Sequence, residues 1–355
     1  MKRHFAVALA TGFLLTSAAG LAQQTPAPAP PTGGPATPAN FPGRSPSQNT
    51  GPRPYAEIIT AKAKTDRGLF VTHKVEDKYF FEIPDSLLGR EILVVNRISK
   101  APAGPRAGFV GYAGDIIGKN EISFEKGPNN KIFVRGLSFT EAGSDSAGMY
   151  NAVRNSNLQP IVASFDIKAL AKDSMTKAGG SVIEITEYLM GDNDILFFAS
   201  GMKRTLGLTA YQRETSYIND VRSFPTNIEI KTVKTYMRSP TPAGGGITIS
   251  MSPLSAGSPS TFELNSSMIL LPKVPMRARY FDPRVGFFAT GYTDFDANPQ
   301  GVEKVQIAVR WRLEPKPEDV EKYKRGELVE PAKPIIYYID PATPRKWIPY
   351  LVQGV

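Results

Sequence analysis

The chain has 355 residues, a formal net charge of +9 and no cysteine. The lack of cysteine excludes disulfides, thiol nucleophiles and cysteine-based metal sites, and the length suffices for one large domain or two. Basic residues are scattered among acidic ones, as in "AKAKTDR" and "EDVEKYKRGE", which indicates a mixed solvated surface and predicts no nucleic-acid partner.

The first 22 residues have the organisation of a secretory signal peptide. A basic start, "MKRHF", precedes the apolar stretch "AVALATGFLLTSAAGLA", whose last residues are small enough for signal peptidase. Cleavage is predicted between Ala22 and Gln23. A membrane-spanning helix needs about 20 predominantly apolar residues. This stretch is less apolar than that, because it contains several Thr, Ser and Gly residues. We therefore expect an exported protein, periplasmic or extracellular, with no membrane span after signal removal.

Residues 23–54 are rich in Pro, Gly and Ala and predict a disordered tether, because they contain too few large apolar side chains to bury a core. The composition changes at Tyr55, where apolar runs begin. We expect a β-rich domain over residues 55–315, with two subregions at about 55–100 and 101–315.

Extended apolar runs dominate this region. A short helix is predicted just after Tyr55, two strands flank Pro84–Gly89, and two β-rich runs joined through Gly127–Asn130 predict a hairpin. Further strands are predicted in "SVIEITEYLM", "FPTNIEIKTVKTYM", "GGITISMSPL" and "FELNSSMILLP". Helices are predicted near 146–157 and 165–177. The predicted fold class is α+β, mainly antiparallel β with a few short helices.

The clearest predicted strand is "KVQIAVRWRL" at residues 304–313. Apolar residues from Val305 to Leu313 alternate with polar ones, which predicts one buried face and leaves Arg310 and Arg312 in solvent without a binding role. Residues 316–333 include "PEDVEKYKRGE", a short connecting helix with Pro and acids in its first turn and basic residues in its last. Residues 334–355 predict a strand, "IIYYI", and the start of another helix.

The sequence gives little support to the known catalytic motifs. His73 is the sole histidine after the signal peptide, too few for a typical catalytic zinc site, and we predict a structural or surface role for it. Ser174 and Lys177 fit S-x-x-K, but neither S-D-N nor K-T-G accompanies them, which favours chance. Turn chemistry explains Asp192 and Asp194. No catalytic or metal-ligating residue is assigned.

Several stretches together resemble a known family. They are "RSFPTNIEIKTVKTY", "ILLPKVPMRARYFDPRVGFFATGY", "VRWRLEPK" and "PIIYYIDPATPRKWIPYLVQGV". Over about residues 54–355 the chain is similar to the N-terminal half of bacterial exported zinc-dependent metalloproteases. The resemblance implies that a metzincin-like domain follows, with its zinc ligands and general base in an H-E-x-x-H-x-x-G-x-x-H segment. It further implies that residues 334–355 begin that protease domain and end before its site.

The resemblance implies that the whole protein hydrolyses peptide bonds with zinc-activated water, and that this chain is its non-catalytic region. Asp282, Arg284 and Asp340 lie in the matched motifs, and we expect structural roles for them, with Asp282-Pro283-Arg284 as a buried salt-bridged turn. No cofactor is expected in this chain, whereas zinc is expected in the full-length protein. The implied partners are the protease domain and a peptide or protein substrate.

Two alternatives remain open. The first is a stand-alone periplasmic binding or scaffold module without enzymatic activity. The second is a hydrolase that uses Ser174 and Lys177. The metalloprotease hypothesis makes a structural prediction of its own, because a segment from about 334 onward that lacks its partners would be poorly packed and would leave Trp347, Tyr350 and Leu351 exposed.

Overall fold

A computed structural model describes residues 51–103, 110–138, 141–142, 149–172, 179–239, 258–298 and 300–354. The predicted signal peptide with its cleavage site at Ala22 and Gln23 lies outside the described residues, as do most of the predicted tether, Ser174 with Lys177, and the predicted strand "GGITISMSPL". The described residues belong to one compact unit, Thr50–Val355.

Strands are the most abundant regular element of the described structure. They are β1 (Lys64–Asp66), β2 (Val71–Val75), β3 (Lys78–Pro84), β4 (Ile92–Lys100), β5 (Ile116–Gly127), β6 (Lys131–Gly136), β7 (Glu141–Ala142), β8 (Ile161–Lys172), β9 (Gly179–Glu184), β10 (Leu208–Phe224), β11 (Asn227–Arg238), β12 (Pro259–Leu270), β13 (Ala289–Asn298) and β14 (Gly301–Ala308).

The helices are short. They are α1 (Tyr55–Ile58), α2 (Met149–Ser156), α3 (Thr186–Met190), α4 (Ser200–Thr205), α5 (Val320–Lys324) and α6 (Ile348–Gly354), with 3-10 turns at Asp85–Leu87 and Pro317–Asp319. Among the described residues, none of these helices combines the length and apolar character needed to cross a membrane.

Eleven strands form one large, nearly closed sheet in the order β1-β2-β3-β9-β8-β6-β5-β4-β12-β11-β10. Every neighbouring pair in it is antiparallel. A smaller sheet in the order β14-β13-β7 pairs β13 antiparallel with β14 and parallel with β7. The predicted fold class, α+β with mainly antiparallel strands and few short helices, is confirmed.

One apolar cluster unites the strands of the large sheet. The Phe70 ring lies 4.9 Å from that of Phe81 and 6.3 Å from that of Phe124, centroid to centroid. Phe198 lies 5.0 Å from Phe262 in edge-on geometry. Tilted and edge-on aromatic pairs at these distances are favourable beyond the area they bury. Residues before and after position 100 therefore share one core.

Local signals located several elements correctly. Helices α1 and α2, the strands on either side of Pro84–Gly89 and the hairpin through Gly127–Asn130 all form as predicted. The helix predicted near 165–177 is wrong, because residues 161–172 form β8, which pairs with β6 on one side and β9 on the other. The predicted strand "SVIEITEYLM" ends at Glu184 and continues as α3.

The predicted strand at 304–313 is correct only in its first half. Strand β14 ends at Ala308, and beyond it Val309, Trp311 and Leu313 are exposed, so the predicted burial of this face is wrong. Arg310 is half-buried instead, because its guanidinium donates a hydrogen bond to the carbonyl oxygen of Arg277 at 2.7 Å.

Two elements near the end were predicted correctly and one was not. Helices α5 and α6 form where the sequence predicts them, in "PEDVEKYKRGE" and at the end of the chain. The predicted strand "IIYYI" does not form, since residues 335–339 have neither helical nor strand pairing. A short apolar run makes a strand only when a neighbouring strand pairs with it.

Candidate functional site

The most fully built polar site surrounds the ammonium group of Lys234 in the middle of β11. The side chain is completely buried, and Nζ donates hydrogen bonds to the carbonyl oxygens of Leu189 at 2.6 Å and Gly191 at 2.7 Å. The hydroxyl of Tyr211 is a third acceptor at 3.2 Å, and the Phe197 ring centroid lies 4.1 Å from Nζ. Three acceptors and an aromatic face suit the three N–H bonds of an ammonium group.

Burial dominates the electrostatics of this site. It lowers the pKa of Lys234 from its usual 10.5 to about 7, an effect that the Asp192 carboxylate opposes and the Arg213 cation adds to. Burial also raises the pKa of the Tyr211 hydroxyl and that of Tyr236, which donates a hydrogen bond to Asp192 at 2.9 Å. The tyrosines therefore stay neutral, whereas Lys234 titrates near neutral pH.

The last turn of α3 and the residue after it supply the carbonyl acceptors of Leu189 and Gly191. Carboxylates of the following loop, between α3 and α4, hold that loop in place. Asp192 forms an ion pair with Lys203 at 2.8 Å. Asp194 accepts hydrogen bonds from the backbone N–H and the hydroxyl of Ser200, at the start of α4. The side chain of Asn193 accepts the N–H of Leu196 at 2.9 Å, which closes a turn over residues 193–196 that contains Asp194. Both carboxylates thus act in loop geometry, as turn chemistry predicted.

The geometry makes Lys234 a positioning residue. Its amine is completely buried and its N–H bonds are occupied, so the group holds the end of α3 against β11 and is not placed to attack a substrate. Sequence reasoning missed it, although a signal was present. Ile228, Ile230, Thr232, Lys234 and Tyr236 alternate along one face of β11, and all five are buried.

A second network joins α1 to the first three strands. His73 is buried in β2, with Nδ1 2.8 Å from the Thr65 hydroxyl and Nε2 3.1 Å from the Glu82 carboxylate. The Tyr55 hydroxyl donates to the same carboxylate at 2.7 Å. Burial acts to raise the pKa of Glu82, but the hydrogen bonds from His73 and Tyr55 outweigh it, so that pKa is lowered. Of the two roles predicted for His73, the structural one fits.

The other predicted residues lie in exposed turns. Arg284 pairs with Asp282, Nη2 to Oδ2, at 2.5 Å. Arg284 is exposed and Asp282 is only partly buried, so the expected burial of this turn is wrong. The turn lies before β13, outside the strands of both sheets. Asp340 accepts the N–H of Ala342 at 2.7 Å and shapes a separate turn. None of the three residues approaches the Lys234 or His73 networks through any described contact.

The segment 271–354, here called the C-terminal arm, carries most of the large apolar side chains that are exposed in the described structure. Trp347 is 52% exposed, Tyr350 67% and Leu351 45%, as the metalloprotease hypothesis predicted. Others are Val274, Tyr280, Val285, Phe287, Phe288, Val302, Val309, Trp311, Leu313, Tyr323, Leu328, Ile336, Tyr337, Tyr338 and Val352. Large contiguous patches of exposed apolar groups are rare on monomeric proteins.

The part of the chain that the structure describes offers no group of three His, Cys, Asp or Glu side chains able to hold a metal ion. Both ring nitrogens of His73 already have partners in Thr65 and Glu82. These residues therefore do not fit a zinc site of the kind that the resemblance implies for the whole protein.

Comparison with protein families gives two matches. The model described as Domain of unknown function (DUF5117) matches residues 114–316, more than half of the chain. The chain belongs to the DUF5117 family. A second model, Domain of unknown function (DUF5118), matches residues 52–101. Neither a curated protein nor a solved structure matches the chain.

The DUF5118 and DUF5117 regions together build the large sheet. The DUF5118 region supplies β1 to β4 and the His73 network, and the DUF5117 region supplies the remaining strands and the Lys234 site. Strand β3 pairs with β9, and β4 lies between β5 and β12. The boundary between the two family matches is therefore not a boundary between folding units.

Proposed function

We propose that this chain is the non-catalytic N-terminal region of an exported zinc-dependent metalloprotease, and that the C-terminal arm packs against the catalytic domain. The observation that carries the proposal is the exposure of aromatic and aliphatic side chains along the arm. The stretches with the most specific resemblance to those proteases, "MRARYFDPRVGFF" and the terminal "PIIYYIDPATPRKWIPYLVQGV", both lie in the arm. The catalytic zinc would belong to the partner domain.

The arm also indicates the chemistry of its partner. Arg277, Arg279 and Arg310 line a cavity of about 530 Å³ beside Tyr280. Within the described part of the chain these three guanidinium groups form no ion pair with a carboxylate. An apolar surface that carries one or more carboxylates would complement this part of the arm, because Arg and aromatic side chains dominate the buried centres of protein interfaces.

The proposal is tested on a protein extended along its reading frame beyond Val355. We expect an H-E-x-x-H-x-x-G-x-x-H segment there, zinc-dependent peptidase activity, and slower amide hydrogen exchange over residues 334–354 than in the 355-residue chain. Replacing Trp347 and Tyr350 by Ala in the longer protein should speed that exchange about tenfold or more, since each removes a large interface side chain. Leu158→Ala removes an exposed apolar side chain outside the arm and is the matched control.

Two results would contradict the proposal. A reading frame without the zinc-binding segment would favour the stand-alone binding or scaffold module. Identical exchange over residues 334–354 in the short and long proteins would show that the arm does not pack against the added domain.

Limited proteolysis of the 355-residue chain gives a second test. Apart from the predicted tether, we expect the earliest cleavages within Pro331–Pro344. This stretch lies outside every helix and strand, and its backbone makes few hydrogen bonds, such as Ala332 N–H to Glu314 and Thr343 N–H to Asp340. Mass spectrometry of the products should show an intact fragment that contains the large sheet. Equally early cleavage within β11 or β12 would contradict the expectation.

A further inference from the structure

The large sheet stops short of closure between its two edge strands, β1 and β10. The edges meet at one end, where Leu69 N–H donates to the Phe224 carbonyl oxygen at 2.7 Å and Ser223 N–H donates to Asp66 Oδ2 at 2.9 Å. Next to these contacts a cavity of about 340 Å³ is lined by Lys64–Asp66 of β1 and Asn219–Arg222 of β10. We call this gap between the two edges the seam.

Strand direction explains why the two edges do not simply pair. All neighbours in the sheet are antiparallel, and β1 and β10 are its first and eleventh strands, so they run in the same direction. Direct pairing would be parallel, the less stable arrangement per residue. A single added strand that runs the opposite way would be antiparallel to both edges at once.

The backbone groups along the seam are available for such a strand. In the described residues, no backbone–backbone hydrogen bond joins Lys64–Asp66 to Asn219–Arg222. The N–H of Val221 donates to the side chain of the preceding residue, Asp220 Oδ1, at 3.0 Å. Unpaired edge groups of this kind are a template for an extended polypeptide.

The charges at the seam favour an acidic peptide. The carboxylate of Asp66 accepts Ser223 N–H, and that of Asp220 is paired with Arg222 at 2.7 Å. Lys64 and Lys74 are directly opposite each other on β1 and β2, so they share one face of the sheet. Both line the cavity, and neither forms an ion pair with any carboxylate among the residues that the structure describes.

We propose that the seam binds an extended acidic peptide as a twelfth strand, antiparallel to β1 and β10. Backbone hydrogen bonds to the two edges supply affinity, and carboxylates at alternate positions of the peptide face Lys64 and Lys74. The bound length is short, because register shifts between Gln212 and Tyr217 and between Ile218 and Asp220 interrupt the ladder of β10. About three to five residues, or roughly 10–17 Å, are bound.

Binding is tested on the full chain with a fluorescein-labelled peptide, Thr-Glu-Val-Glu-Val-Glu-Thr, by fluorescence anisotropy. The same peptide with Lys in place of Glu should bind about tenfold more weakly, the change expected for two exposed charge pairs. A version N-methylated at alternate residues should bind much more weakly, since it loses its donors toward one of the two edges and places methyl groups against that edge. Hydrogen exchange should slow at Thr65 and Val221 when the acidic peptide binds.

The double substitution Lys64→Glu with Lys74→Glu should reverse the preference between the acidic and basic peptides. Lys62→Glu is the matched control, an exposed lysine that lines a separate cavity, and should leave binding unchanged. Thermal unfolding checks that all variants fold. Undetectable binding of the acidic peptide, equal binding of its N-methylated form, or an equal effect of Lys62→Glu would each overturn the proposal.

Discussion

Removal of the DUF5118 region, residues 52–101, should leave the rest of the chain without a stable fold. The deletion takes away β1 to β4, and β4 is an internal strand whose loss separates β5 from β12. It also removes Phe70, Phe81, Ile83, Ile92 and Val94 from the core, all of which are buried. Burial of each such side chain contributes about 1.5–3 kcal/mol. The stabilisation lost with these side chains is therefore comparable with the free energy of unfolding of a typical domain, about 5–15 kcal/mol.

Circular dichroism during heating and urea unfolding measures this effect. The shortened chain should show no cooperative transition, whereas a control that lacks residues 317–355 should keep one, because those residues add no strand to the large sheet. Co-expression of residues 1–106 with residues 107–355 should restore a cooperative complex, since both pieces then supply their strands. A cooperative transition in residues 102–355 alone would show that the DUF5117 region folds independently.

The sequence predicts those parts of the fold that short-range chemistry decides. The turn at Gly127–Asn130 sets the β5–β6 hairpin, and the charges at both ends of "PEDVEKYKRGE" set a helix. Strand β8 could not be predicted in this way, because "DIKALAK" has good helical propensity and its strand form depends on pairing with β6 and β9. Partners distant in sequence decide such segments.

The same distinction holds for the candidate sites. Alternation along β11 could have placed Lys234 on a buried face. Its carbonyl acceptors, Leu189 in α3 and Gly191 just after it, lie more than 40 residues earlier, and no local pattern reveals them. Alternation around Val309 and Trp311 predicts an apolar face without specifying what covers it. The structure shows that no described part of this chain does so, which leaves those side chains to a partner under the proposed function.

Lys234 should make the stability of the protein rise with pH above neutrality. The folded amine has a pKa of about 7 against its usual 10.5, so between these values the unfolded chain binds a proton that the folded chain has released. Stability increases with pH wherever the unfolded state binds more protons. The contribution of Lys234 to the free energy of unfolding is constant below about pH 7. It rises by about 1.4 kcal/mol for each pH unit above pH 7 and levels off near pH 10.5.

Lys234→Met tests this in urea unfolding at pH 6 to 9.5. The variant removes the titrating group but leaves the carbonyl oxygens of Leu189 and Gly191 without their donor, at about 1–3 kcal/mol for each unsatisfied group. The diagnostic is therefore how the free energy of unfolding changes with pH. The free energy of unfolding of the wild type minus that of the variant should increase as the pH rises from 7. Lys231→Met, at an exposed position on the same strand, should keep the wild-type profile. Parallel profiles for wild type and Lys234→Met would mean that the buried amine does not titrate in this range, and that the Leu189 and Gly191 carbonyls and the Tyr211 hydroxyl stabilise its charged form against burial.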